Sequence, residues 1–391
     1  MIKFAKSLAI VLAVAAAGCA DDSGPVRSVW RPESGKPTYT NVVYVTDREP
    51  DAAAAGGFGH RWADKDSCGT AETVVPAALA PGEKPLWGYI AKTTPTACRG
   101  SLPYSGAVAL VEAQAKEHHC NTVFLFVHGF HTGFDGSVLR AAQVSHDTQT
   151  NCAVLSFSWS SEVSLDRYAA DIEHSSYAVP MLSELLRELA DSGLRVTILG
   201  HSSGARMLLA SLSGFAHSRF PVRGSFIDEL VLAAPDVGAE KGDDDFAHLL
   251  ADASPYAKRI TIYVSHLDGV LLASQYAHGG VPRAGTTADL SFRGDDKDHV
   301  IDVIESSQPP ADLLDHSYFA MSYETIADMT MVLDGVPTAD RMKPWEGWKP
   351  TLTCGATTGC GNGALSVATT REPRLVTRIL HAVMPLIPFL R

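Results

Sequence analysis

Basic residues are scarce in this chain: 32 Lys and Arg stand against 44 Asp and Glu, for a formal net charge of −12 at pH 7. Removal of residues 1–18, with Lys3 and Lys6, would leave 30 basic against 44 acidic residues, or −14. Nucleic acid is excluded as a partner class, because its phosphates require a basic face. Metal-ligand spacing is also missing. No CxxC pair occurs and no histidine stands at ligand distance from a cysteine, so neither a metal nor a cofactor is expected. No internal repeat is evident, which sets solenoids aside. The N-terminal apolar run, Leu8–Ala17, is too short to span a bilayer as a helix. What remains is an ordinary globular composition, 46% hydrophobic and 19% charged over 391 residues, enough for one large domain or two small ones.

The chain opens "MIKFAKSLAIVLAVAAAGCADDSGP". Two lysines, an apolar run and then small residues make the layout of an export signal. "AAGC" resembles a bacterial lipobox, with Ala16 in place of the usual leucine and Cys19 as the residue to be lipidated. Acyl chains on Cys19 would tether the protein to a membrane surface, at the periplasmic or outer face of the cell envelope. A plain signal cleavage after Ala17 is the alternative. Residues 1–18 therefore read as signal and 19–38, polar and Pro/Gly-punctuated, as tether. Of seven cysteines, six remain after Cys19, an even number that suits an oxidising compartment. The expected pairs are Cys354–Cys360, Cys120–Cys152 and, by remainder, Cys68–Cys98.

From residue 39 to 335 short strand-like runs alternate with helix-like ones. "NVVYVT" and "PLWGYIA" come first, separated by a long Ala/Gly-rich segment without an assignable pattern. "TVFLFVHG", "AVLSFSW", "RVTILG", "DELVLAAP", "RITIYVS" and "HVIDVIES" follow, each nearly continuous in apolar residues. Such strands are buried on both faces, as in a parallel sheet covered by helices. Between them, "FDGSVLRAAQVSHD" offers Asp135 as a helix cap. "VPMLSELLRELADSG" places Leu182, Leu185, Leu186 and Leu189 on one face and ends on Gly193. The pattern predicts an α/β fold with right-handed crossovers and functional groups at the carboxyl ends of strands. Residues 336–391 form a C-terminal extension that reads as loop, followed by the apolar tail "RLVTRILHAVMPLIPFLR". That tail is expected to pack on the domain, with a membrane surface or a binding groove as its other uses.

The segment "RVTILGHSSGARMLLASL" carries the chemistry. A chance GxSxG is expected about 0.2 times in a chain of this composition, so the pattern alone is weak. Strand before and helix after make it a nucleophile elbow, with Ser202 as nucleophile and Gly200 and Gly204 relieving clashes at the sharp turn. A serine hydroxyl needs a base, an orienting acid and oxyanion donors, and this architecture orders them Ser, acid, His. Asp268, just past "ITIYVS", is the expected acid, and Asp236, past the preceding strand, is the alternative. His316 follows the last strand and is the expected base; His299 and His278 lie at or before that strand's start. The oxyanion hole is assigned to the N–H groups of Phe130, in "FVHGFHTGF", and Ser203. His128 reads as a loop histidine that holds its turn, and His201 as a residue packing against or lining the site.

The pieces "FVHGFHTGFDGSVLRAAQVSHD", "LSFSWSSEVSLDRYAADIEHS", "GHSSGARMLL", "VLAAPDV", "YVSHLDGVLLAS" and "DHSYF" resemble the bacterial alpha/beta-hydrolase family called domain of unknown function 900, within the esterase/lipase superfamily. "VVYVTDRE" is similar to that family's opening strand, and the resemblance runs from about Asn41 to Val332. This chain has Ser203 where the family usually has Met, and "SWSSE" lacks a proline often found there. The resemblance implies the α/β-hydrolase fold, a mostly parallel central sheet with helices on both faces, and serine hydrolysis of an ester-like bond. The expected substrate is a small-molecule or lipid ester. A non-catalytic envelope lipoprotein and an acyltransferase with the same triad are the alternatives.

Overall fold

The structure is a computed structural model describing residues 37–76, 88–150, 152–162, 168–219, 222, 224–239, 245–286, 300–306, 316–341, 351–354 and 364–368. The strands are β1 Thr38–Pro50, β2 Phe58–Val75, β3 Tyr89–Thr96, β4 Thr122–Val127, β5 Ala153–Ser158, β6 Arg195–His201, β7 Ile227–Ala233, β8 Ala257–Val264, β9 Val300–Ser306, β10 Thr351–Cys354 and β11 Ala364–Ala368. They form one 11-stranded sheet in the order β10-β11-β9-β8-β7-β6-β4-β5-β1-β2-β3. Every ladder from β1 through β5, β4, β6, β7, β8 and β9 to β11 is parallel, whereas β2, β3 and β10 join antiparallel.

Alternation along the strands divides the core between the two faces. Val43, Val45, Val123, Leu125 and Ile198 pack with the helices Ser105–Glu117, Tyr168–Asp191 and Ser203–Ala216. Val42, Tyr44, Phe124, Phe126 and Leu199 face the helices Phe134–Asp147 and Tyr323–Leu333. Leu182, Leu185, Leu186 and Leu189 are all fully buried, and Gly193 adopts φ +77° just beyond their helix. This is the α/β-hydrolase fold that the sequence implies.

Three elements differ from expectation. The Ala/Gly-rich stretch holds β2, 18 residues long; Arg61, Asp64, Lys65 and Asp66 are exposed while Cys68, Ala71, Val74 and Val75 near its end are buried, so no apolar alternation marks it. Residues 336–391 are not all loop, since β10 and β11 extend the sheet beyond β9. Asp135 does not cap its helix. Gly133 occupies the cap position, and the Asp135 carboxylate accepts the Gly56 N–H instead.

Two of the expected disulfides are present, Cys68–Cys98 and Cys120–Cys152. Cys354 ends β10, while Cys360, the apolar tail and everything before residue 37, Cys19 included, lie outside the described residues. Cys120 and Cys152 precede β4 and β5, and so staple the amino edge of the sheet. The bond closes a loop of 32 residues. On the chain-entropy account such a closure stabilises by about 3–4 kcal/mol. The Cys120→Ser/Cys152→Ser double variant is expected to lose that much in denaturant unfolding.

Candidate active site

Strand register brings the carboxyl ends level. Val127 pairs with Gly200, His201 with Ala233, Ala233 with Tyr263, and Tyr263 with Ile304. The chain leaves β4 for β5 on one side and reaches β6 on the other, so a crevice opens between the loops following β4 and β6. Ser202 stands there, between β6 and its helix, at φ +52° and ψ −119°. A side chain rarely adopts this conformation, and it persists only where the surroundings over-determine it. They do so here. The Ser202 N–H donates to the Ala233 carbonyl at 2.9 Å, and its own carbonyl accepts from Ala205 N at 3.1 Å. A methyl group on Gly204 would lie 2.3 Å from the Val127 carbonyl oxygen, and one on Gly200 2.5 Å from Leu208 Cδ1. Only side-chain-free residues allow strand and helix to meet so closely.

Asp268 sits at the amino end of the helix Gly269–Ala277, and its two oxygens divide their work. Oδ1 accepts the N–H groups of Val270 and Leu271, at 3.0 and 2.9 Å. Oδ2 accepts from His316 Nδ1 at 2.8 Å. The Asp268 side chain is fully buried and that of His316 is 12% exposed. His316 also touches the elbow. His201 Nε2 donates to the His316 carbonyl at 3.3 Å, and the two rings lie 4.6 Å apart. His201 packs on Phe319 as well, so it lines the site and braces the segment that carries His316. That segment is fixed from above by the Tyr318 hydroxyl, which donates to the Tyr263 carbonyl at 2.9 Å.

Asp236, the alternative acid, is engaged elsewhere. Its Oδ1 accepts from Arg283 Nε at 2.6 Å and from the Ser274 hydroxyl at 2.7 Å. Burial would raise its pKa, but the Arg283 guanidinium and the Ser274 hydroxyl hold it below the usual carboxylate range. It is a buried ion pair beneath the elbow. Among the described residues no group of three or more His, Cys, Asp or Glu is arranged to hold a metal ion.

The loop after β4 closes against Ser202. A methyl group on Gly129 would lie 2.8 Å from Ser202 Cβ, so the residue before Phe130, one of the two expected oxyanion donors, abuts the elbow that continues into Ser203, the other. His128 is fully buried, its ring stacked on Trp159 at 5.1 Å and its Nδ1 2.7 Å from the Gly129 carbonyl. Trp159 Nε1 donates to the His128 carbonyl at 2.9 Å. Sequence reasoning missed Arg48, Ser161 and Asp171, which hold this loop from behind; a charged residue ending an apolar strand was the one available signal.

In three dimensions the chain is similar to a fungal esterase of Rhizomucor miehei at 13% identity, with a TM-score of 0.34, covering 82% of this chain and 96% of the other. It is similar to brefeldin A esterase, a bacterial homologue of human hormone-sensitive lipase, at 14% identity and TM-score 0.34, covering 85% of this chain and 86% of the other. A CIB-like hydrolase of Thermoplasma acidophilum matches at 13% identity and TM-score 0.30, over 55% of this chain and 86% of its own. No curated protein matches it in sequence. Residues 107–333, more than half of the chain, match the alpha/beta hydrolase family of unknown function DUF900, and the protein belongs to that family.

Proposed function

We propose that this hydrolase is a serine esterase with Ser202 as nucleophile, His316 as base and Asp268 as the orienting acid. The observation that carries the reading is the His316–Asp268 hydrogen bond of 2.8 Å beside a serine held at φ +52°. With Nδ1–H committed to the carboxylate, the neutral ring presents Nε2 as its basic nitrogen. Nε2 takes the Ser202 proton as Oγ attacks the ester carbonyl. The oxyanion that forms is met by the N–H groups of Phe130 and Ser203, the latter at the positive end of its helix dipole. Collapse expels the alcohol, which receives the proton from His316, and leaves an acyl group on Ser202. Water, deprotonated by His316, then releases the acid and restores the serine. Esters are favoured over amides because an alcohol leaves more readily than an amine.

The setting belongs to the same proposal. An export-type leader ending at Cys19 and two disulfides support a membrane-tethered protein of the cell envelope acting on a small-molecule or lipid ester. Among the described residues no helix is long and apolar enough to cross a membrane. A fluorophosphonate probe tests the chemistry directly. Stoichiometric labelling of the folded protein, mapped by peptide mass spectrometry to Ser202, is expected; a folded protein that takes up no label would sink the reading.

A further inference from the structure

The loop that presents Phe130 is strained and is held from two sides. His131, the next residue, adopts φ +60°, a conformation few side chains tolerate and one that must be paid for by neighbouring contacts. On one side, His131 N–H donates to Ser161 Oγ at 2.8 Å, and that hydroxyl donates onward to Asp171 Oδ2 at 2.5 Å. Asp171 is itself oriented by the Glu162 N–H, which reaches Oδ1 at 2.8 Å. On the other side, Arg48 Nη2 donates to the Thr132 carbonyl at 2.6 Å. The same guanidinium donates from Nη1 to the Ser161 carbonyl at 3.2 Å and from Nε to Ser158 Oγ at 3.0 Å.

Arg48 is fully buried, and burial pushes its pKa down to about 10. A charge kept in such a place is costly unless its donors are used, and here they bind the Thr132 and Ser161 carbonyls in the loops after β4 and β5, the Ser158 hydroxyl of β5 and the Gly59 carbonyl of β2. The two anchors bracket His131, one on its N–H and one on the following carbonyl. Together they fix the peptide plane next to Phe130.

We infer that Arg48 and the Ser161–Asp171 pair are positioning residues of the oxyanion hole, clamping the strained His131 turn so that the Phe130 N–H points at the reacting carbonyl. This rests on the serine-hydrolase reading above. All three are buried, so they act through the loop they hold. Their effect falls on the oxyanion, because a donor displaced by even a fraction of an ångström stabilises the transition state less while ground-state binding is little changed.

The test uses the full chain with Ser161→Ala, Ser161→Thr and Asp171→Asn, assayed on a nitrophenyl ester and with a trifluoromethyl ketone, whose hemiketal oxyanion occupies the same hole. Ser161→Ala is expected to lower kcat about 10–100-fold with KM within about 3-fold. It should weaken the ketone by the same factor, and Ser161→Thr, which keeps the hydroxyl, should restore both. Asp171→Asn, with the hydroxyl less firmly oriented, should fall between. If Ser161→Ala proves too unstable to assay, Asp171→Asn alone decides by the same paired measurement. Unchanged kcat and ketone affinity in a folded variant, or a loss confined to KM, overturns the clamp. Wild-type protein that neither turns over ester nor labels at Ser202 overturns the hydrolase reading and this inference with it, an outcome separate from normal wild-type activity with indifferent variants.

Discussion

Ser202→Ala will hydrolyse a nitrophenyl ester with kcat lower by about 10⁴-fold or more, since the nucleophile and its base act as a unit. The fold should not notice. Ser202 contributes no side-chain hydrogen bond to the helix that follows it, and its four backbone bonds survive the substitution. Alanine carries the same Cβ as serine and so meets the same constraint at φ +52°. Circular dichroism and thermal midpoint are therefore expected to match the parent while turnover and fluorophosphonate labelling vanish. His316→Ala should be equally inactive for a different reason, because it removes the base and leaves the buried Asp268 carboxylate without its imidazole partner. Residual activity in Ser202→Ala above about one part in a thousand would point to a different nucleophile.

Asp268→Asn and Asp236→Asn are expected to fail in opposite ways. In Asp268→Asn the amide oxygen keeps the Val270 and Leu271 N–H groups, because asparagine caps helices as well as aspartate does. The amide NH2 then faces His316 Nδ1. Two donors cannot face each other, so the ring shifts its proton to Nε2 and loses the lone pair that must accept from Ser202. Activity should drop by about 10³–10⁴-fold at nearly unchanged stability. Asp236→Asn breaks a pair whose Arg283 side chain is only 6% exposed. A buried guanidinium left without its carboxylate costs about 3–5 kcal/mol. That variant should melt early yet retain turnover within about 10-fold at low temperature, since its carboxylate is engaged by Arg283 and Ser274. Parallel kcat and denaturant-midpoint measurements separate the two; a catalytically normal Asp268→Asn would reassign the acid.

The central strands and the elbow were legible because each signal is local. A continuous apolar run declares a doubly covered strand, and glycines two residues either side of a serine declare a tight turn. The sequence favoured Asp268 over Asp236 by position alone, and both follow strands of the same sheet. What separates them is Arg283, 47 positions from Asp236 in sequence, and the seating of His316. β2 escaped notice because its middle is polar and exposed, its buried residues near the end do not alternate, and its long pairing with β1 is made only in the folded sheet. Arg48 and Ser161 are 113 positions apart, so their shared grip on the His131 turn exists only once the loops converge. Local pattern marks the elbow; the contacts around it belong to tertiary structure.

β10 and β11 bear on how long the chain must be. β11 pairs in parallel along β9, and β10, four residues long, closes that side of the sheet. A protein cut after Gly335 would turn β9 into an outermost strand with a row of unanswered N–H and C=O groups. β9 also leads into the His316 segment. Shortened versions would then present a sticky margin on the strand that precedes His316 in the chain, and their tendency would be to recruit one another edge to edge. The C-terminal strands act as a built-in guard against self-association, and expression boundaries drawn at the family match alone would discard it.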